Sequence, residues 1–130
     1  MNKKQINCYV TAAFKALQTS RMIENGVVDR AMVGKVASFG PTVISMGLKP
    51  AVALFSKTTG GADRVPVAEA IFQTLKKAES RLVDGKNNLL DCVKDLDGSE
   101  LHRAKREILD VSVAVKLALR TYPEKKPESR

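Results

Sequence analysis

Few side chains in this 130-residue sequence could break or form a bond. Its one histidine is His102, and its two cysteines, Cys8 and Cys92, stand far apart and form no CxxC pair, so the ligands of an ordinary Cys/His zinc site are missing. Asp95, Asp97 and Glu100 around Gly98 invite a calcium reading. Setting Gly98 at the glycine of an EF-hand loop, however, puts Val93 at the first ligand position and Ala104 at the last, and neither side chain carries an oxygen. Asp97 followed three residues later by Glu100 fits a helix cap instead. Neither Gly34-Lys35 nor Gly60-Gly61 extends into the GxxxxGK[ST] pattern that cradles phosphates. A small nuclease built on His102 with Asp91, Asp95 or Cys92 needs an orienting partner that the spacing does not supply, and a lone histidine on a charged helix face reads as solvated surface. The sequence thus nominates no catalytic residue, no metal and no cofactor.

Charge is the stronger signal. Twenty-two Lys and Arg against 14 Asp and Glu give a net charge of +8, with a pI near 9.7, which favours polyanionic partners. Residues 1–60 hold eight basic side chains and two acidic ones, and no acid occurs from Arg30 to Ala62, a stretch that contains Lys35, Lys49 and Lys57. These three lysines, with Arg64 just beyond them and Lys15 and Arg21 before them, are the candidate phosphate contacts. On the last helix the charges look self-paired: Arg103 can meet Glu100 or Glu107, and Arg106 can meet Asp110, at helical spacing. Lys116 and Arg120 read as a solvated face.

The elements that must carry these residues are helical. Ile6, Val10, Ala13, Phe14 and Leu17 recur at three and four, predicting a first helix over about Asn2–Glu24 that Asn25-Gly26 closes. A second helix is expected over Val28–Ser38, interrupted or kinked at Gly40-Pro41. Pro41 to Met46 is a short helix or the continuation of a kinked one, closed by Gly47, and Pro50 sits in the first turn of a helix containing Val52, Ala53, Leu54 and Phe55. Thr58-Thr59-Gly60-Gly61 reads as a mobile loop. Further helices are expected over Arg64–Leu82, with Asp84-Gly85 as stop, and over Asn88–Leu96. The last begins at Asp97 and bears an apolar face through Leu101, Ala104, Ile108, Val111, Val115, Ala118 and Tyr122. No strand-period segment of convincing length is present, so the fold class is all-α: a single-domain bundle of five to six helices over residues 1–122, with residues 123–130 as a disordered tail. With four Phe, two Tyr and no Trp, the core must come from Ala, Val, Leu, Ile and Met.

Phe39 to Lys57 carries the most specific pattern: an apolar helical segment closed by Gly47-Leu48, then the alanine-rich helix Ala51-Val52-Ala53-Leu54-Phe55, then basic Lys57. This resembles the central signature of the small subunit of the Cmr complex, the type III-B CRISPR effector. Met46 stands where that signature usually has Asn, and Pro41 lies one position later, after Gly40. The resemblance implies a noncatalytic helical bundle that stacks with copies of itself beside the backbone and large subunits and helps to bind guide RNA and target RNA in antiviral defence. RNA cleavage would belong to a neighbouring subunit.

Two function classes follow as expectations. The first is an RNA-binding structural subunit using Lys35, Lys49, Lys57 and Arg64, with Lys15 and Arg21 next. The second is a helical protein-protein adaptor whose basic surface meets an acidic partner and has no direct nucleic-acid role. The longest uncharged run, Val36–Leu48, has 13 residues, short of the roughly 20 needed to cross a bilayer. With two unpaired thiols and a polar start at Gln5, Asn7 and Thr11, a cytoplasmic setting and no membrane contact are expected.

Overall fold

The computed structural model describes residues 3–59 and 62–124. Their order is α1 (Lys3–Leu17), β1 (Ile23–Glu24), β2 (Val27–Val28), α2 (Arg30–Met46), α3 (Leu48–Phe55), β3 (Thr58–Thr59), β4 (Ala62–Asp63) and α4 (Val65–Lys77). A 3-10 turn (Arg81–Val83), α5 (Leu89–Val93) and α6 (Gly98–Leu119) follow. The fold is all-α, and the strands form only two two-residue hairpins.

Helix α6 is the spine, packing against α1, α2 and α4. Its expected apolar face is the one it buries: Ala104, Ile108, Val111, Val115 and Ala118 are almost inaccessible, while Leu101 and Tyr122 at the two ends are half-buried. α2 runs antiparallel to α6. Val28, just before α2, donates its amide to the Pro123 carbonyl (3.0 Å) beyond the end of α6, whereas Lys49, just after α2, meets Asp97 at its start. Ala12, Ala13 and Ala16 of α1 and Ala68 and Ala70 of α4 are buried. These small side chains let helix backbones approach closely in a core poor in aromatics.

Glu107 joins three segments: it accepts hydrogen bonds from the Tyr9 hydroxyl (3.0 Å) of α1 and the Ser80 hydroxyl (2.8 Å) after α4. Burial, together with this carboxylate, pushes the Tyr9 phenol well above its usual range. Glu107 therefore faces α1 and the turn after α4, and Arg103 and Arg106 form no ion pair among the described residues, contrary to the pairing expected from spacing. Buried Thr74 and Ser112 return their hydroxyls to the carbonyls of Ala70 and Leu109 (both 2.7 Å), and no buried side-chain polar atom among the described residues lacks a partner.

The element boundaries differ from expectation where local polar groups decide them. α1 ends at Leu17, because Thr19 gives its hydroxyl to the Ala16 carbonyl and Ser20 takes the Met22 amide, drawing the backbone out of the helical ladder. Asn25-Gly26 does not stop α1. Both residues have positive φ (55° and 77°), the geometry of a tight hairpin turn, and they join β1 to β2. α2 begins at Arg30, capped by Asp29, whose carboxylate accepts from the Ala31 amide (3.0 Å), and runs unbroken through Gly40-Pro41. Gly40 has no Cβ to collide with the proline ring, and Ala37 and Pro41 are exposed, so water can reach the carbonyl that proline leaves unpaired. α4 stops at Lys77, with Glu79 at φ 58°, well before Asp84-Gly85. Thr58-Thr59 is a strand rather than a loop, Gly60 and Gly61 lie outside the described residues, and so do residues 125–130 of the expected tail. Within that tail, Glu124 is bridged to Val28, next to the Pro123 contact.

Phe39 of α2 and Phe55 of α3, both fully buried, meet edge to face with ring centroids 5.0 Å apart at 87°. Truncation by Phe39→Ala is expected to cost about 3–5 kcal/mol in urea unfolding. Gly34 is exposed, lies inside α2, and has nothing within 4 Å of a Cβ built on it; Gly34→Ala should therefore stabilise the protein by about 0.5–1 kcal/mol in the same measurement.

Candidate nucleic-acid interface

The candidate cations come together at one small feature, the β3–β4 hairpin. Thr58 pairs with Asp63 and Thr59 with Ala62, so Lys57 and Arg64 flank the open end of the ladder opposite one another. Lys35 reaches in from α2 and donates to the Asp63 backbone carbonyl (3.2 Å). Arg21 arrives from the segment after α1, its guanidinium 3.9 Å from the Asp63 carboxylate and hydrogen-bonded to Glu69 of α4. Arg21 and Lys35 thus reach Asp63 itself, while Lys57 and Arg64 stand at the open end of the hairpin that carries it.

Asp63 is what makes this crowding tolerable. Its carboxylate accepts from the Val65 amide (3.1 Å), capping the first turn of α4, and it offsets part of the positive charge gathered around it. Lys57 is exposed and Arg64 half-buried, and neither has a hydrogen-bond or ion-pair partner among the described residues. Both are open to an anion without first giving up a carboxylate.

The other candidates stand differently. Lys49 lies at the far end of α3, about 9 Å along the helix axis from Phe55 at 1.5 Å per residue. There its ammonium is 3.5 Å from the Asp97 carboxylate. Asp97 occupies the N-cap position of α6 but makes no side-chain capping bond, so its charge is turned toward Lys49. Lys15 is exposed in the last turn of α1 and unpaired, away from the hairpin contacts. Lys49 is therefore not the unopposed cation that the acid-free stretch of sequence suggested, since Asp97 comes from beyond that stretch, and Arg21, which precedes the stretch, is engaged by Asp63 and Glu69. The Arg21–Glu69 and Lys49–Asp97 pairs are largely solvent-exposed, and pairs of this kind contribute only about 0–1 kcal/mol, so a phosphate can displace the carboxylate at little cost.

A groove of about 570 Å³ opens beside the hairpin between the end of α1, α4 and the Asn87–Leu90 segment. Sequence reasoning missed it, along with Asp63. For Asp63 a signal existed, since an Asp two residues before Val65-Pro66 is a helix-start pattern; for the groove there was none.

The residues weighed for catalysis do not assemble. Cys92 is buried, donates its thiol to the Asn88 carbonyl (3.3 Å), and burial pushes its pKa up to about 11, so it is not a thiolate near neutral pH. Asp91 pairs with Lys94 (3.2 Å), and His102 is exposed without a hydrogen-bond partner among the described residues. Among those residues no three His, Cys, Asp or Glu side chains could jointly hold a metal ion, and no helix is long and apolar enough to cross a membrane.

Compared with protein-family models, curated proteins and solved structures, the chain shows no match.

The two thiols should separate in labelling. Cys8 is exposed and is expected to react promptly with a disulfide reagent at pH 8, whereas Cys92 should react only when the protein is unfolded. Two rapid equivalents in the native protein would contradict this placement.

Proposed function

We propose that this protein is a noncatalytic helical scaffold that binds single-stranded RNA by its phosphates at the β3–β4 hairpin. The observation that carries the reading is the meeting of Arg21 and Lys35 at Asp63 of the hairpin whose open end Lys57 and Arg64 flank, the latter two without a hydrogen-bond or ion-pair partner among the described residues. Phosphate neutralisation asks only for cations held along a surface, and the fold holds these by the ends of helices and a hairpin. Tyr9 and Tyr122 are half-buried and Phe14 of α1 is the one exposed aromatic ring among the described residues, so stacking has few platforms and the phosphates supply most of the affinity.

The resemblance of Phe39–Lys57 to the type III-B small subunit gives this reading its biological setting: a CRISPR ribonucleoprotein in which the chain helps to hold guide and target RNA beside other subunits and copies of itself. The α2–α3 joint agrees with that pattern at Gly47, which closes α2 with φ 94° while its amide reaches the Val43 carbonyl (2.9 Å). In a shared groove each copy needs only modest affinity, since linked sites multiply.

A second reading, a protein-protein adaptor, is favoured by a separate observation. Ile44 and Met46 at the end of α2 and Val113 and Leu117 on the outer face of α6 are large apolar side chains between 42% and 67% exposed. The two pairs lie toward opposite ends of the antiparallel α2 and α6, and either patch would bind protein whether or not the hairpin binds RNA.

The salt dependence of RNA binding tests the first reading. Three to four phosphate contacts predict a log–log slope of roughly −2 to −3, at about −0.7 per contact on a single strand. The double charge reversal Lys57→Glu/Arg64→Glu should flatten that slope by about 1.4 and weaken binding more than tenfold at low salt, with the unfolding curve nearly unchanged. Binding indifferent to both salt and these substitutions would reject the phosphate reading and leave the adaptor.

A further inference from the structure

The groove beside the hairpin shares its rim with the cations. Arg21 lines it directly, and so do Ser56 and Val65, the immediate chain neighbours of Lys57 and Arg64. A strand whose phosphates meet those cations runs past the mouth of the groove.

The interior has a different character from the rim. Ala16, Ala68 and Phe72 are nearly inaccessible apolar wall, and Gln73 and Asn87 add two exposed carboxamides with no hydrogen-bond partner among the described residues. Glu69 also faces the groove, but its carboxylate is engaged by Arg21. Inside, then, stand neutral amides over an apolar floor. Each carboxamide presents a carbonyl acceptor beside an NH₂ donor, which matches the adjacent donors and acceptors on the edge of an unpaired base. The volume, about 570 Å³, lies within the range of small-molecule sites and exceeds a single planar base.

We propose that the groove receives an unpaired nucleobase from the RNA strand held at the hairpin, with Gln73 and Asn87 hydrogen-bonding the base edge and Ala16, Ala68 and Phe72 covering its faces. The proposal rests on the phosphate reading and adds to it a site for the base. The strand is then gripped in two ways, by charge on its backbone outside the groove and by amides on a base within it.

Equilibrium binding of the full-length protein to a short single-stranded RNA, compared with a strand of the same length carrying abasic sites, tests the base site. The intact strand should bind about five- to tenfold more tightly than the abasic one, the gain from one or two net hydrogen bonds with partial burial of the base. The variant Gln73→Ala/Asn87→Ala should lose that advantage while keeping the salt slope, and it should bind the abasic strand like the parent protein. Both substituted residues are exposed, and an unchanged thermal unfolding curve excludes a folding defect. Equal binding of intact and abasic strands, with a normal salt slope, would overturn the base site and leave the phosphate reading standing. An equal loss for both strands in the variant would also overturn it, because the amides would then be serving the backbone. Salt-independent binding, or no binding of either strand, would overturn both.

Discussion

The edge-to-face contact between Phe39 and Phe55 is the constraint on which the proposed interface depends. Gly47 lets the chain turn sharply between α2 and α3, but a turn alone leaves the two helices free to splay; the aromatic pair, fully buried, sets how they lie. Edge-to-face rings contribute roughly 0.5–1.5 kcal/mol beyond the area they bury, and their geometry is directional. Lys35 is one helical turn before Phe39, and Lys57 is two residues after Phe55. Fixing the rings therefore brings the α2 lysine and the start of β3 to the same end of the helix pair, where the Lys35 ammonium meets the Asp63 carbonyl. The unbroken course of α2 through Gly40-Pro41 serves the same end, since a break there would uncouple Lys35 and Phe39 from Val43 and the Gly47 joint.

Crowding cations has an electrostatic cost that the nearby carboxylates reduce. Two like unit charges 4 Å apart near a protein surface repel by about 4 kcal/mol, and the repulsion falls as they separate and as salt screens them. Asp63 and Glu69 offset part of that repulsion, and they do so through exposed contacts that are individually weak. In the proposed interface such weak contacts would give way to a phosphate. Lys57 and Arg64 have no hydrogen-bond or ion-pair partner among the described residues, so they add positive charge without an internal contact.

Much of the fold was legible because its signals are local and redundant. The heptad-like spacing of Ile108 and Val115, with Ala104, Val111 and Ala118 between, identified the face that α6 buries, and Gly47 and Pro50 located the α2–α3 joint. The misreadings share a cause: a residue's conformational tolerance was known, but not which of its permitted uses the tertiary structure would select. Asn25-Gly26 can end a helix or turn a hairpin, and Ile23, Val27 and Val28 on either side settled it for the hairpin. Proline in a helix is tolerated when a glycine precedes it and the orphaned carbonyl faces water, and neither burial nor exposure is written at that position. The cations were found by type and by the absence of neighbouring acids in the chain. That absence is one-dimensional, and carboxylates up to 48 positions away closed on Arg21 and Lys49. The groove beside the hairpin was invisible because its walls come from segments that no periodicity links.

The hairpin at the centre of the interface cannot sustain itself. Two strands of two residues fall far below what is independently stable in water, so β3 and β4 persist because other groups hold them. One is the Asp63 carboxylate, tied to the Val65 amide at the start of α4; another is the Lys35 ammonium on the Asp63 carbonyl. Lys35 is therefore asked to do two things, and a phosphate that captured it fully would remove a support from the hairpin presenting Lys57 and Arg64. A single ammonium has three donors, however, and the bond to Asp63 uses one. In the proposed interface Lys35 keeps its carbonyl and offers a phosphate its remaining donors, so the strand is bound by the same contact that shapes its site.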